Sequence, residues 1–241
     1  MAFAGVARAD QLVTLEAGFR PDAVGVPTTI TFGFRVSSST AGAVPSPVVG
    51  VDIYLPAGIG LATSTLGLAV CQPARLLELG LKGCPANSRV GFGRALGELE
   101  TKGEVVHEAA TVQTVLGPNR NHHEQVLFYV ECEEPVSSEL IFSGELLPSS
   151  SRKFSSSLNT SVPLVPTWPE GPYVSVTSFS STLGPRGLTY LRHVGAGYVP
   201  FHPKGISVPS HCPAGGFPFL ATLNFLDGSH VTASHVVPCP S

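Results

Sequence analysis

The sequence predicts a mainly β protein: an antiparallel two-layer β-sandwich with one short helix between Cys71 and Cys84. Three observations carry that expectation. Apolar and polar residues alternate at a period of two through most of the chain, the mark of strands with one buried and one wet face. Glycine (26) and proline (22) interrupt the chain at short intervals, so strands are short and turns many. Helical punctuation occurs in one place, where Pro73 suits a first helical turn and Gly80 a C-terminal cap.

The elements follow in order. Residues 12–16 read as a first strand. In 29–36, Ile30, Phe32, Phe34 and Val36 share one face. In 48–55, Val49, Val51, Ile53 and Leu55 share one face and Gly50, Asp52 and Tyr54 the other. Val90 and Phe92 alternate with Gly91 and Gly93. Further strands are expected at 105–116, 126–131, 140–147 and 173–180. The last two strands form a hairpin around Leu226-Asp227-Gly228. A two-residue turn there would set an apolar face against a polar one. A three-residue loop with Gly228 left-handed pairs Leu223 with Val231 and Ala221 with Ala233, which keeps both apolar sets together. Residues 148–172, rich in Ser and Pro, read as a long surface connection. They lie within a single sandwich domain spanning 10–241, the alternative being two lobes split at that point.

Composition bounds the function. Hydrophobic residues make up 43% of the 241, with 13 Phe, enough for a packed core rather than a disordered chain. The formal charge is −3 and the densest basic spot is Arg152-Lys153, so no basic stripe exists to neutralise phosphates. Nucleic acid and anionic membrane surfaces are set aside as partners. Residues 53–74 carry no charge, but Pro56, Gly58 and Gly60 interrupt them, and no membrane span is expected. The Ala7-Arg8-Ala9 step resembles a signal-peptide cleavage site. Residues 1–9 then read as the remnant of a signal peptide, with a mature start near Asp10; the alternative is an alanine-rich start by chance.

Five cysteines sharpen the compartment. Cys71 and Cys84 flank the short helix; Cys212 and Cys239 flank the last hairpin. Each pair would close a short loop worth ~3 kcal/mol as a disulfide. Cys132 is left over, either free or paired with another chain. A metal site competes, but no C-x-x-C or H-x-x-x-H pair is present, and neither metal nor cofactor is expected. Disulfides point to an extracellular or cell-envelope location.

Two stretches carry a resemblance. One runs from Val51-Asp-Ile-Tyr-Leu-Pro-Ala-Gly58 through Cys71 and Leu79-Gly80 to Gly83-Cys84-Pro85-Ala86-Asn87-Ser88-Arg89-Val90-Gly91-Phe92-Gly93. The other is Cys212-Pro-Ala-Gly-Gly-Phe-Pro-Phe219, then Phe225-Leu-Asp-Gly228 and Val237-Pro-Cys-Pro240. Together they are similar to a group of uncharacterised exported β-rich proteins of high-GC actinobacteria. The resemblance implies export and a β fold. It implies no activity, substrate or catalytic residue, and it leaves Cys132 unplaced.

Three groups of side chains are candidates for chemistry. His122-His123-Glu124 sits in a turn-like segment and could ligate or exchange protons, but lacks helical ligand spacing. Glu131, Glu133 and Glu134 flank Cys132 and could pair as carboxylates across a cleft. Tyr190, Tyr198 and Phe201, with His193, His202 and Trp168, could line a ligand surface. No nucleophile elbow, phosphate loop or dinucleotide fingerprint is present. The expectation is therefore an exported, non-catalytic cell-surface or extracellular module that binds an unidentified ligand or serves a structural role. One alternative is an exported hydrolase with a carboxylate or histidine site near 122–134. The other is a carbohydrate-binding module built on the aromatics.

Overall fold

The computed structural model describes residues 10–60, 66–134, 137–166 and 171–240, apart from the side chains of Glu133 and Glu134. The expected signal remnant (1–9) and Trp168 lie outside the described residues. In chain order the strands are β1 (Gln11–Arg20), β2 (Thr29–Ser38), β3 (Val48–Pro56), β4 (Arg89–Thr101), β5 (Glu104–Arg120), β6 (His123–Glu134), β7 (Ser138–Pro148), β8 (Phe154–Ser161), β9 (Ser175–Leu183), β10 (Tyr190–Val194), β11 (Gly197–Phe201), β12 (Phe217–Phe225) and β13 (His230–Val237). The helix α1 is Pro73–Leu79.

Eleven strands form one antiparallel sheet in the order β1-β2-β9-β4-β5-β6-β7-β8-β3-β12-β13, and β10 and β11 make a separate hairpin. The large sheet curls until β1 lies alongside β13, giving a nearly closed barrel. At that seam Phe19 of β1 meets Phe217 and Phe219 of β12, with ring centroids 5.2 and 5.9 Å apart. The antiparallel β architecture with its one short helix matches expectation. Its two layers are the opposing walls of a single sheet.

Alternation sorts the faces. Ile30, Phe32, Phe34 and Val36 of β2 are all buried in the interior, as their spacing predicts. On β3 one position differs. Gly50 opposes Asn224 while Val48 opposes Phe225, so Val49 is the extra residue of a bulge. Val48, rather than Val49, joins Val51, Ile53 and Leu55 inside. The final hairpin has the three-residue loop: Leu223 pairs with Val231, Ala221 with Ala233, and Gly228 takes φ +81°.

The stretch 148–172 is a correction. It is not one long connection, because Phe154–Ser161 forms β8, hydrogen-bonded between β7 and β3. Nor does it divide two lobes, since β8 and β9 belong to the same sheet. Its serines conceal a period-2 pattern in which Leu158 and Thr160 face inward and Asn159 and Ser161 outward. The ladders on both sides supply what side-chain hydrophobicity does not.

Outside the barrel, α1 covers β5 and β6. Pro73 opens it, Gly80 at φ +58° ends it, and a 3₁₀ turn (Gly80–Gly83) leads to Cys84, bonded to Cys71. A seven-residue helix is too short to persist by itself. Leu76, fully buried among Val115, Leu127 and Tyr129, holds it down. Its burial contributes about 1.5–3 kcal/mol. β6 is thereby covered on both faces, and Gln125 to Val130 are all buried.

Candidate functional site

The barrel brings the sequence-predicted residues to separate places. His122 lies at the exposed tip of the β5–β6 hairpin, where Asn121 and His122 both have positive φ. His123 and Glu124 begin β6 and, as strand neighbours, project to opposite faces. Glu131 lies eight residues further along β6, roughly 26 Å away at strand spacing. There it accepts a hydrogen bond from Tyr129 Oη at 3.4 Å. The four do not converge, and no group of three or more His, Cys, Asp or Glu among the described residues could hold a metal ion.

The aromatic set also divides. Tyr190 is fully buried; its hydroxyl donates to the Arg89 carbonyl and accepts from the Gly67 amide at 3.0 Å. Burial pushes this phenol up from its ordinary range, opposed by the Gly67 amide. Phe201 meets Tyr190 edge to face rather than coplanar, and Tyr198 is 70% exposed on the β10–β11 hairpin. Tyr190 is a structural anchor at the base of that hairpin. The two disulfides, Cys71–Cys84 and Cys212–Cys239, are formed as paired from the sequence, and Cys132 is free and half-buried.

The barrel interior holds what the motifs did not reveal. A cavity of about 170 Å³ lies between two hydrophobic clusters. Phe32 and Phe34 of β2 and Ile53 of β3 line one side; Val112 of β5, Phe128 of β6 and Phe142 of β7 line the other. Its origin can be followed along the rows of inward side chains. One row runs Ile30, Leu183, Gly91, Thr114, Phe128, Phe142. The next runs Phe32, Ser181, Gly93, Val112, Val130, Leu140, and a third begins Phe34, Phe179, Ala95, Ala110. The β4 positions are Gly, Gly and Ala, so this part of the wall is nearly bare.

The glycines are required by the wall's curvature. A Cβ on Gly91 would stand 2.4 Å from the Thr182 carbonyl oxygen, and one on Gly93 2.2 Å from that of Ser180. Close approach of the β9 backbone therefore excludes side chains there. The space they would have filled remains inside the barrel.

Residues between β8 and β9 contribute to the cavity at one end of the barrel. β8 and β9 are five strands apart one way round the sheet and six the other, across the seam. Of the described residues between them, Pro163, Val165 and Val174 line the cavity. The Val174 amide donates to the Val165 carbonyl at 3.1 Å, and Ser175 Oγ donates to the Pro45 carbonyl at 2.5 Å. Before β2, Thr28 pairs with Ile206 through two backbone hydrogen bonds of 2.9 and 2.7 Å.

One polar atom stands out behind this lining. Thr114 is 1% exposed, and its Oγ1 has no hydrogen-bond partner. Its neighbours in the row, Gly91 and Phe128, offer none. An unmet buried hydroxyl costs about 1–3 kcal/mol. A second concavity, on the outer face, is polar and open, with Asp52, Asn159, Glu145 and Arg120 around it. Burial pushes the Asp52 carboxyl up from its ordinary value, opposed by a hydrogen bond to Asn159.

The glycines of β4 were visible in the sequence as Gly91-Phe-Gly93, and Thr114 as a break in the inward series Ala110, Val112, Thr114, Leu116. What they enclose depends on which strands face them, which period alone does not encode. Comparisons with protein-family models, curated proteins and solved structures return no match to this chain. Fold and site together define the class: a nearly closed antiparallel β-barrel around an almost wholly apolar cavity.

Proposed function

We propose that the protein is an exported, non-catalytic binding module whose barrel interior takes a small apolar ligand. The observation that carries this reading is the interior cavity of about 170 Å³ with its apolar lining. Apolar cavities of about 150 Å³ stay dry and accept single-ring hydrocarbons. Two disulfides support an extracellular or cell-envelope location, as does the resemblance to exported actinobacterial proteins. Among the described residues no helix is long and apolar enough to cross a membrane. The outward-facing Asp52, Glu145 and Asn159 favour a barrel wall facing water.

The test is titration with toluene, followed by methyl NMR. Shifts should concentrate on Val112, Val130 and Leu140. Ala95→Leu, which adds carbon to the bare wall, should fold with an equal or higher Tm and lose those shifts. A wild-type spectrum unmoved by toluene would remove the proposal.

A further inference from the structure

Apolar side chains left outside the barrel gather on the β10–β11 hairpin. It belongs to no larger sheet, and residues 191–200 are exposed without interruption. Leu191, Val194, Tyr198 and Val199 are 45, 51, 70 and 43% exposed. A free two-stranded hairpin is marginal in water. This one is fixed at its base, where Tyr190 is buried and Asn87 clamps Leu191. The Ala69 amide bonds to the Asn87 carbonyl, which brings the exposed Leu68 and Val70 beside that base.

We propose that this hairpin is a membrane-docking element that seats in the interface of a bilayer carrying anionic phospholipid. Its edges turn away an added strand. The Asn87 side-chain amide donates to the Leu191 carbonyl at 2.7 Å and accepts from the Leu191 amide at 2.8 Å, and Pro200, opposite Leu191, has no N–H. Its apolar side chains lie on both faces, since directly paired residues share a face and successive ones alternate. Leu191 and Tyr198 project one way, Val194 and Val199 the other. A flat protein partner would cover one set and leave the other in water, whereas a lipid interface surrounds an inserted hairpin and takes up both. Charge fits the same occupant. The whole chain carries −3, yet between Gly171 and Leu226 there is no Asp or Glu, and the charged residues are Arg186, Arg192 and Lys204. The Arg192 guanidinium sits 5.8 Å from the Phe201 ring centroid, drawn toward the hairpin's base. The uncharged turn at Val194–Gly197 therefore enters first, with the guanidinium left at the level of the phosphates and Tyr198 at the headgroup boundary. The chain has no basic run, and charge alone would not hold it to a membrane; the fold adds the apolar tip. What the barrel interior holds has no bearing on this surface.

The test is co-sedimentation of the full chain with phosphatidylcholine vesicles, with and without an equal part of phosphatidylglycerol. Wild type should bind the mixed vesicles, and pure phosphatidylcholine about tenfold less tightly. Val194→Ser with Tyr198→Ser should lower binding to the mixed vesicles about tenfold at an unchanged Tm, because both side chains are exposed. Arg192→Gln should lower it about fivefold and leave binding to pure phosphatidylcholine unchanged. Should the double variant not fold, Tyr198→Ser alone takes its place and should lower binding in the same sense. No binding of wild type to either vesicle overturns the proposal, as does equal binding by the double variant. Binding indifferent to phosphatidylglycerol overturns the anionic preference. A wild-type dimer that the double variant separates, without vesicle binding, would give the hairpin to a second copy of the chain and overturn the lipid assignment.

Discussion

Tyr129 is buried on the outer face of β6, beneath α1 and beside Glu131 and Glu139. Burial first, then hydrogen bonding and charge from those two glutamates, holds its phenol protonated well above the usual value near 10. The sign of the consequence follows. Between the unfolded and the folded value the native state binds the extra proton, so stability falls as pH rises beyond about 10. Cys132 acts in the same direction from a lower pH: burial and Glu108 push its thiol up, against a hydrogen bond with Ser138. In a Cys132→Ala background, Tyr129→Phe should flatten the decline of the urea midpoint between about pH 9.5 and 11. An unchanged slope would show that Tyr129 ionises freely. Single residues such as these were the least legible part of the sequence. Tyr129 sits in the run Gln125-Val-Leu-Phe-Tyr-Val130, which announces a strand buried on both faces but not what covers the second face. Tyr190 read as a ligand contact because an aromatic in a loop-rich segment gives no sign of the carbonyl that its hydroxyl will meet.

Elements were legible wherever one face is strongly apolar. β2 could be read to its faces and the β12–β13 hairpin to its register, because a one-residue slip would turn Phe217, Phe219, Ala221 and Leu223 outward. β8 was hidden because its ladder, not its side chains, places it. Helix α1 could be read from Pro73, Gly80 and the flanking cysteines, though its position on the outside of β5 and β6 could not. That position makes a prediction. Leu76→Ala should cost about 2–5 kcal/mol, since a fully buried leucine is removed from a small satellite core. Cys71→Ser with Cys84→Ser should cost about 3 kcal/mol for a loop of this size. Neither change should alter binding of toluene inside the barrel, because the helix and the cavity lie on opposite faces of β5 and β6. Loss of toluene binding in either folded variant would contradict that separation.

For the whole molecule, the seam is the weak line. Every other neighbouring pair in the large sheet shares a ladder, whereas β1 and β13 lie side by side as the two ends of the strand order. Phe19 on Phe217 and Phe219 of β12, and Gln11 Nε2 to the Asp227 carboxylate of the β12–β13 turn at 3.5 Å, hold β1 against the last hairpin. The Cys212–Cys239 bond reinforces this side by tying the end of β13 to the segment before β12. With the cysteines 27 positions apart, its removal should cost about 3.5 kcal/mol. The loss should also be uneven. In Cys212→Ser/Cys239→Ser, amides of β12 and β13 should exchange faster, while those of β5 and β6, paired on both sides, keep their protection. Uniform acceleration would mean that the barrel opens as one unit and the seam has no separate stability. Thiol titration of the untreated native protein completes the comparison. One thiol per chain should react, slowly, because Cys132 is half-buried and its thiol is held protonated. Four or five reactive thiols would mean the chain matures in a reducing compartment, and the export proposal would fall with the disulfides.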